Sequence, residues 1–323
     1  MTSSFPHYVY CGFPLEHPIF ASGGCAQTLE DVRVLARSTS SMVEVGSVIL
    51  SKSGRPGNAG QTYWSDQRTI SFNVRNIPCP SEDYYRQNLH EMVEMAHRFR
   101  KILVWNIAGQ NPVDFACAVR LGVQSGVDVI VVNAGCTNLW SDHKQKPTIS
   151  HNSISLSAVL MAVQDALSSS RTPIDLKISP VENIQQREKN AQMIFNLVLR
   201  FPCVKLFTLI NTIPNKVGFD ERGFPCINSS DVPGGFGGMG GAITKPLGMW
   251  YVVRFASLIS QNSALAQHVF TIRACGGVTC GKDVVDYLRA GRGHVCAVGV
   301  GTTVHDYGVR ALSDILEEFT SSS

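Results

Sequence analysis

The chain carries little charge, and it lacks several patterns by which other protein classes announce themselves. Only 16% of its 323 residues are Asp, Glu, Lys or Arg, and the formal net charge is +3. So small an imbalance excludes the electrostatics of a nucleic-acid or membrane-surface binder. No apolar run approaches the roughly 20 residues that span a bilayer. Ten cysteines are present but none forms a CxxC pair, which removes the signal for a structural zinc or a thioredoxin-type redox site. None of the nine histidines falls in a metal-ligand spacing, so no metal is expected. No secretory leader pattern opens the chain, and scattered single cysteines suit a reducing compartment. A soluble, cytoplasmic protein is the expectation.

What is present is an alternation. Predicted strands open at Pro18, Met42, Ile102, Val129, Ile174, Leu206, Val269 and Val295. Predicted helices follow them at Leu29–Ser38, Tyr84–Arg100, Pro112–Leu121, Leu156–Ser168, Ile184–Leu199, Pro246–Ser260, Lys282–Ala290 and Val309–Phe319. Eight of each is the count of a closed (β/α)8 TIM barrel. A doubly wound open sheet has fewer strands and a GxGxxG turn after the first, and PIFASGG lacks that spacing. No linker divides the chain, so a single domain over 1–323 is expected. Long excursions rich in Gly, Pro, Asn and Ser occupy about 54–82 and 212–243, a length that in a compact domain marks function or disorder.

The stretch VIVVNAGCTN, Val129–Asn138, carries the first candidate chemistry. Four β-branched residues predict a strand buried on both faces. Its end delivers Asn133, Cys136 and Asn138, and the C-terminal ends of barrel strands are where catalytic groups are presented. Cys136 is the candidate catalytic residue; an inert buried thiol is the plain alternative. Lys177 lies inside the apolar strand DLKIS, where an unpaired ammonium is costly and calls for an anionic partner. Lys52 follows the second strand. Asn73, Asn106, Asn133, Asn138 and Asn211 end separate strands or loops, and converging amides suit a planar ring of alternating C=O and N–H groups. The turns CGGV (Cys275–Val278) and GVGT (Gly299–Thr302) follow strands seven and eight, where barrels commonly hold phosphate. Gly234–Gly241, GGFGGMGG, admits the close approach of a flat ligand or of backbone.

These motifs, taken in order, resemble the class 1 dihydroorotate dehydrogenases, most closely class 1A, from about Pro18 to the end of the chain. The family's N-L-S-C-P-N is similar to Asn133-Ala134-Gly135-Cys136-Thr137-Asn138, and its T-K-S to Ser51-Lys52-Ser53. Its V-K-L lysine matches Lys177, and its V-N-S-I matches Ile210-Asn211-Thr212-Ile213. Its G-F-G-G-x-G-G-x-x-x-x-P matches Gly235 to Pro246 without a gap. Its G-G-[IV]-x-[ST]-G and x-G-T-A resemble Gly276 to Gly281 and Gly301-Thr302-Thr303, with Cys280 in the Ser/Thr place.

The resemblance implies a flavoprotein oxidoreductase of pyrimidine (UMP) biosynthesis. It would be an FMN-binding barrel that oxidises dihydroorotate to orotate, with fumarate as oxidant and a homodimeric assembly. Cys136 would take the C5 proton while hydride passes from C6 to flavin N5. Lys177 would stabilise the reduced flavin, and Lys52 would sit between flavin and substrate. Ala21, Ser22, Gly23, Ser53 and Asn106 would line the isoalloxazine. Asn133, Thr212 and Gly238 would also hold the cofactor, and Gly276, Gly277, Gly301 and Thr302 its phosphate. Asn73, Asn133, Asn138, Asn211 and Thr212 would hold the pyrimidine ring. The loop carrying Cys136 would act as a lid.

The chain also departs from the family. The N-S-M-G-L-P-N substrate loop reads Asn73-Val74-Arg75-Asn76-Ile77-Pro78-Cys79, so Arg75, Asn76 and Ile77 replace the residues whose amides bind the orotate carboxylate. Arg75 could itself pair with a carboxylate. The R-E-G-N-P-x-P-R segment survives only as Arg55-Pro56-Gly57-Asn58, and the Ser and Pro around the cysteine are Gly135 and Thr137. Asn211-Thr212 also resembles the uracil-reducing domain of dihydropyrimidine dehydrogenase. A related flavoenzyme for another dihydropyrimidine or small cyclic substrate, and an FMN-binding paralogue without turnover, are the alternatives.

Overall fold

Eight short apolar strands form the centre. They are β1 (Ile19–Ala21), β2 (Val43–Val48), β3 (Leu103–Ile107), β4 (Val129–Asn133), β5 (Ile174–Lys177), β6 (Val204–Leu209), β7 (Thr271–Cys275) and β8 (Val295–Val300). The structure is a computed structural model. It describes residues 8–52, 60–67, 69–74, 79–136, 140–141, 144–145, 147–229, 233–262 and 270–321. All strand pairings in this sheet are parallel, in the order β1-β8-β7-β6-β5-β4-β3-β2. The seam between β1 and β2 is bridged differently. Ser41 N donates to Ile19 O at 2.9 Å, and Ala21 N donates to the Ser40 hydroxyl at 3.0 Å. The result is a nearly closed (β/α)8 barrel.

Helices follow the strands as α1 (Leu29–Arg37), α2 (Glu82–Arg98), α3 (Pro112–Ser125), α4 (Ser153–Leu167), α5 (Ile184–Val198), α6 (Lys245–Gln261) and α7 (Gly281–Ala290). After β8 the chain makes two, α8 (Thr302–Tyr307) and α9 (Arg310–Ser321), where the sequence pattern predicts one. Capping sets their starts. Thr28 and Asp31 form a capping box on α1, and Asn111 caps α3 ahead of Pro112 in its first turn.

Residues alternate across each strand. Outward side chains such as Val45, Trp105, Val132 and Leu176 pack beneath the helices in the main core. Inward side chains such as Phe20, Val104, Val131 and Leu206 fill the lumen. The N-terminal hairpin, Tyr8–Tyr10 paired with Phe13–Leu15, brings the buried Tyr10 into that inner cluster. Nothing in the chain's periodicity announces this hairpin.

The two long excursions fold together. Strands Ile213–Lys216, Gly237–Gly240, Ser71–Asn73 and Tyr63–Ser65 make one antiparallel sheet in that order. The glycine run serves this packing. A Cβ on Gly241 (φ +90°) would lie 2.5 Å from Thr69 O, so only glycine lets the two segments meet. The sheet is latched to α8. Asp306 accepts from Tyr63 Oη and Ser65 Oγ, both at 2.7 Å, and Tyr307 Oη donates to Gln67 O at 2.6 Å. Among the described residues no helix is long and apolar enough to cross a membrane.

Candidate active site

Four strands that point an apolar residue into the lumen point a polar one the same way two residues later. Val131 gives way to Asn133, Val104 to Asn106, Leu206 to Thr208 and Phe20 to Ser22. On β5, Asp175 in the lumen is followed by Lys177, which stands beside Asn133 of β4 in the strand register. Ser22, Asn133 and Lys177 line a cavity of about 240 Å³ roofed by the cap sheet, while Asn106 and Thr208 are fully buried and do not line it.

Its wall contains twelve of the expected residues: Ser22, Gly23, Asn73, Asn133, Cys136, Lys177, Asn211, Thr212, Gly276, Gly277, Gly301 and Thr302. Three others stand behind the wall. Ala21 is fully buried within β1. Asn106 is fully buried, with its Nδ2 donating to Glu44 Oε1 at 2.5 Å. Gly238 pairs with Asn73 in the cap, and its carbonyl accepts from Asn73 Nδ2 at 3.4 Å. Lys52 ends the short 3-10 turn Leu50–Lys52 that follows β2. Ser53, Arg75, Asn76, Ile77 and Asn138 lie outside the described residues. The wall also holds residues that the sequence reading did not single out, among them Ser47, Tyr63, Ser71, Thr244 and His305. Tyr63 and His305 face one another with ring centroids 5.2 Å apart.

The two glycine turns are tied together. Tyr287 Oη donates to Gly276 O at 2.6 Å, and Thr303 Oγ1 donates to Val278 O at 2.9 Å. Gly277 has φ +70°, and a Cβ on it would lie 2.7 Å from Lys245 N and 2.8 Å from Ala242 O. This is a cradle of bare backbone that any side chain would fill.

Charge on the wall is one-sided. Among the described residues no Asp or Glu lines the cavity. Lys177 is 6% exposed, and no hydrogen bond or ion pair joins its ammonium to another described residue. A buried ammonium so placed is stable only opposite an anion. Two thiols face the cavity. Cys136 is 8% exposed and packs against Ile49 and Ala108. Burial, the main cause, pushes the Cys275 thiol up to about 11, with Arg273 opposing, so Cys275 stays protonated at neutral pH. A glycine cradle, one unopposed cation and an asparagine-lined floor fit a ligand with a planar ring, a phosphate and a capacity for negative charge. A flavin mononucleotide has all three.

A family model described as "Dihydroorotate dehydrogenase" matches residues 8–322. A protein of Enterococcus faecalis named "Probable dihydroorotate dehydrogenase A (fumarate)" is 25% identical, over 92% of this chain and 87% of that protein. The "Dihydroorotate dehydrogenase B (NAD(+)), catalytic subunit" of Methanocaldococcus jannaschii is 23% identical, over 96% and 91%. The "Dihydroorotate dehydrogenase A (fumarate)" of Lactococcus lactis is 24% identical, over 92% and 87%.

Proposed function

Since the chain belongs to the dihydroorotate dehydrogenase family, whose members are FMN-dependent oxidoreductases acting on CH–CH groups, we propose that it oxidises dihydroorotate to orotate. The observation that carries this reading is the buried, anion-free Lys177 in one cavity with Cys136, Asn133 and Asn211. FMN, when bound, supplies the two-electron acceptor for the CH–CH bond. Gly276, Gly277, Gly301 and Thr302 hold its phosphate, and Ser22, Gly23, Asn133, Thr212 and Lys177 hold its ring system. Ser53 completes that set.

The chain's own residues do the rest. Asn73, Asn133, Asn138, Asn211 and Thr212 bind the pyrimidine, and their amides match its alternating donors and acceptors. Cys136 takes the proton from C5. Its apolar neighbours Ile49 and Ala108 exclude water from the thiol. Lys177 places positive charge where negative charge develops, an electrostatic contribution. Lys52 stands between the two ligands. Arg75, with Asn76 and Ile77, takes the substrate carboxylate in place of a purely main-chain site. Fumarate is the proposed oxidant, and a homodimer the proposed assembly.

The test is anaerobic. Purified protein carrying a yellow flavin is mixed with dihydroorotate, and the flavin band is followed. Bleaching within seconds is expected. A yellow protein that bleaches with dihydrouracil but not with dihydroorotate would instead support the second reading, another dihydropyrimidine, which the Arg75-Asn76-Ile77 sequence favours.

A further inference from the structure

A single directed chain of hydrogen bonds runs from the barrel lumen to the cavity floor. It starts at Glu44 on β2, which is fully buried and whose Oε2 lies 2.9 Å from Arg273 Nη1. Glu44 Oε1 accepts from Asn106 Nδ2 at 2.5 Å. Asn106 Oδ1 accepts from the Ser47 hydroxyl at 2.8 Å. The Ser47 oxygen accepts from Asn133 Nδ2 at 2.7 Å. Asn133 Oδ1 accepts from Asn211 Nδ2 at 3.2 Å. At the far end Asn211 is pinned by backbone, with Nδ2 donating to Gly135 O at 2.8 Å and Oδ1 accepting from Thr212 N at 2.9 Å.

The direction of this chain follows from its first member. A carboxylate can only accept, so the amide nitrogen of Asn106 must face Glu44 and its oxygen must face Ser47. The Ser47 proton is then committed to Asn106. Towards Asn133 and the cavity, Ser47 offers lone pairs alone. We propose that Glu44 is a positioning residue. Through Asn106 it fixes Ser47 as an acceptor at the cavity floor and so selects ligand rings that present an N–H there. Arg273 holds Glu44 in place, with its Nε also 3.1 Å from Asp175 Oδ2. The assignment rests on the proposed pyrimidine reading for the identity of the ring, and on the hydrogen bonds for everything else.

A glutamine at position 44 has one oxygen and one N–H end. The oxygen turns to the positive guanidinium, which lies 2.9 Å from Glu44 Oε2, the amide nitrogen then faces Asn106, Asn106 turns over, and the Ser47 proton is released. The test is a double-mutant cycle on the FMN-loaded protein with Glu44→Gln, Ser47→Ala and the pair. Orotate Kd is read from the perturbation of the flavin band, and Tm is followed in parallel. Each single substitution is expected to raise the Kd about tenfold, the effect of one lost or inverted hydrogen bond. The double variant is expected to be no weaker than Ser47→Ala alone, because Glu44 acts through Ser47. An unchanged orotate Kd in folded Glu44→Gln, or losses that add to about a hundredfold in the pair, overturns the proposal. A merely structural role would lower Tm and leave the losses additive. Should Glu44→Gln not fold, Asn106→Ala cuts the chain one residue later and keeps the Glu44–Arg273 pair. It takes the same place in the cycle, with the same deciding outcomes. If orotate leaves the wild-type flavin band unmoved, the pyrimidine reading fails. The cycle is then read on FMN affinity of the apoprotein, where non-additive losses support the role of Glu44 and additive or absent ones refute it.

Discussion

Gly135 precedes the cysteine proposed as base, and the family carries Ser at its position. Homology alone therefore predicts that Gly135→Ser is harmless, whereas the structure predicts damage. A Cβ at Gly135 would lie 2.4 Å from both Ile178 C and Ser179 N, and 2.9 Å from Ile178 O. Carbon contacts settle at about 3.5–4.0 Å, so the shortfall is about 1 Å. It is met by backbone leaving β5 rather than by a side chain that could swing away. The turn holding Cys136 must retreat by a similar distance, and the 2.8 Å bond from Asn211 Nδ2 to Gly135 O must lengthen. Overpacking of this kind costs about 1–3 kcal/mol of stability. A displacement of about 1 Å at a reacting group costs on the order of 10²-fold in rate. The assay is anaerobic stopped-flow reduction of the bound flavin by dihydroorotate, with Tm measured on the same samples. Gly135→Ser should bleach roughly a hundredfold more slowly and melt several degrees lower, at about 2–4 °C per kcal/mol. Wild-type kinetics with an unchanged Tm would refute the steric reasoning.

Cys136→Ser should slow flavin reduction by about 10²–10⁴-fold at neutral pH and leave the flavin content of the purified protein unchanged; unaltered kinetics would remove this thiol from the mechanism. Lys177→Met should lower the flavin midpoint potential by roughly tens of millivolts, the scale of one charge at contact distance, and an unchanged potential in spectroelectrochemical titration would count against its electrostatic role. Gly277→Ala should reduce bound flavin, because the new Cβ meets Lys245 N and Ala242 O at a left-handed backbone position; full flavin occupancy would separate the phosphate from this turn. Alkaline pH should destabilise the fold. Burial lifts the thiols of Cys275 to about 11 and Cys296 to about 12, so above about pH 9 the folded chain keeps protons that the unfolded chain releases, and stability falls as pH rises towards those values. Cys275→Ala should flatten that fall in a series of Tm measurements from pH 8 to 11.

The barrel was legible because strand and helix periods alternate cleanly, and because the site residues of such a barrel sit at predictable strand ends. The cap was not. Ser71–Asn73 pairs on one side with the distant Gly237–Gly240 and on the other with the neighbouring Tyr63–Ser65, and a three-residue strand has no period of its own to read. Tyr63 reaches the cavity on a sheet that Asp306 ties to α8, the helix that carries His305. Asn106 shows a different limit. The sequence placed it at a strand end, as it did Asn133. Its position under Gly23 and against Glu44 depends on how deep in the lumen each strand begins, which no single strand records.

The lumen charges show how far one rule of reading could have been taken. Lys177 stood out as a cation inside an apolar strand. The same test picks out Glu44 in MVEVGSVIL, Asp175 in IDLKIS and Arg273 in VFTIRA. Period two then sends all four into the barrel. There they sum to two carboxylates and two cations, a neutral set that could have closed on itself. The structure divides them unequally. Arg273 takes both Glu44 and Asp175, and Thr208 and Tyr10 complete the coordination of Asp175. Lys177, one residue pair nearer the mouth, receives neither. Had the carboxylates been shared, the cavity would have been electrically quiet and poorly suited to a ligand that gains negative charge. By committing both acids to the guanidinium below, the lumen leaves its second cation to whatever occupies the site above.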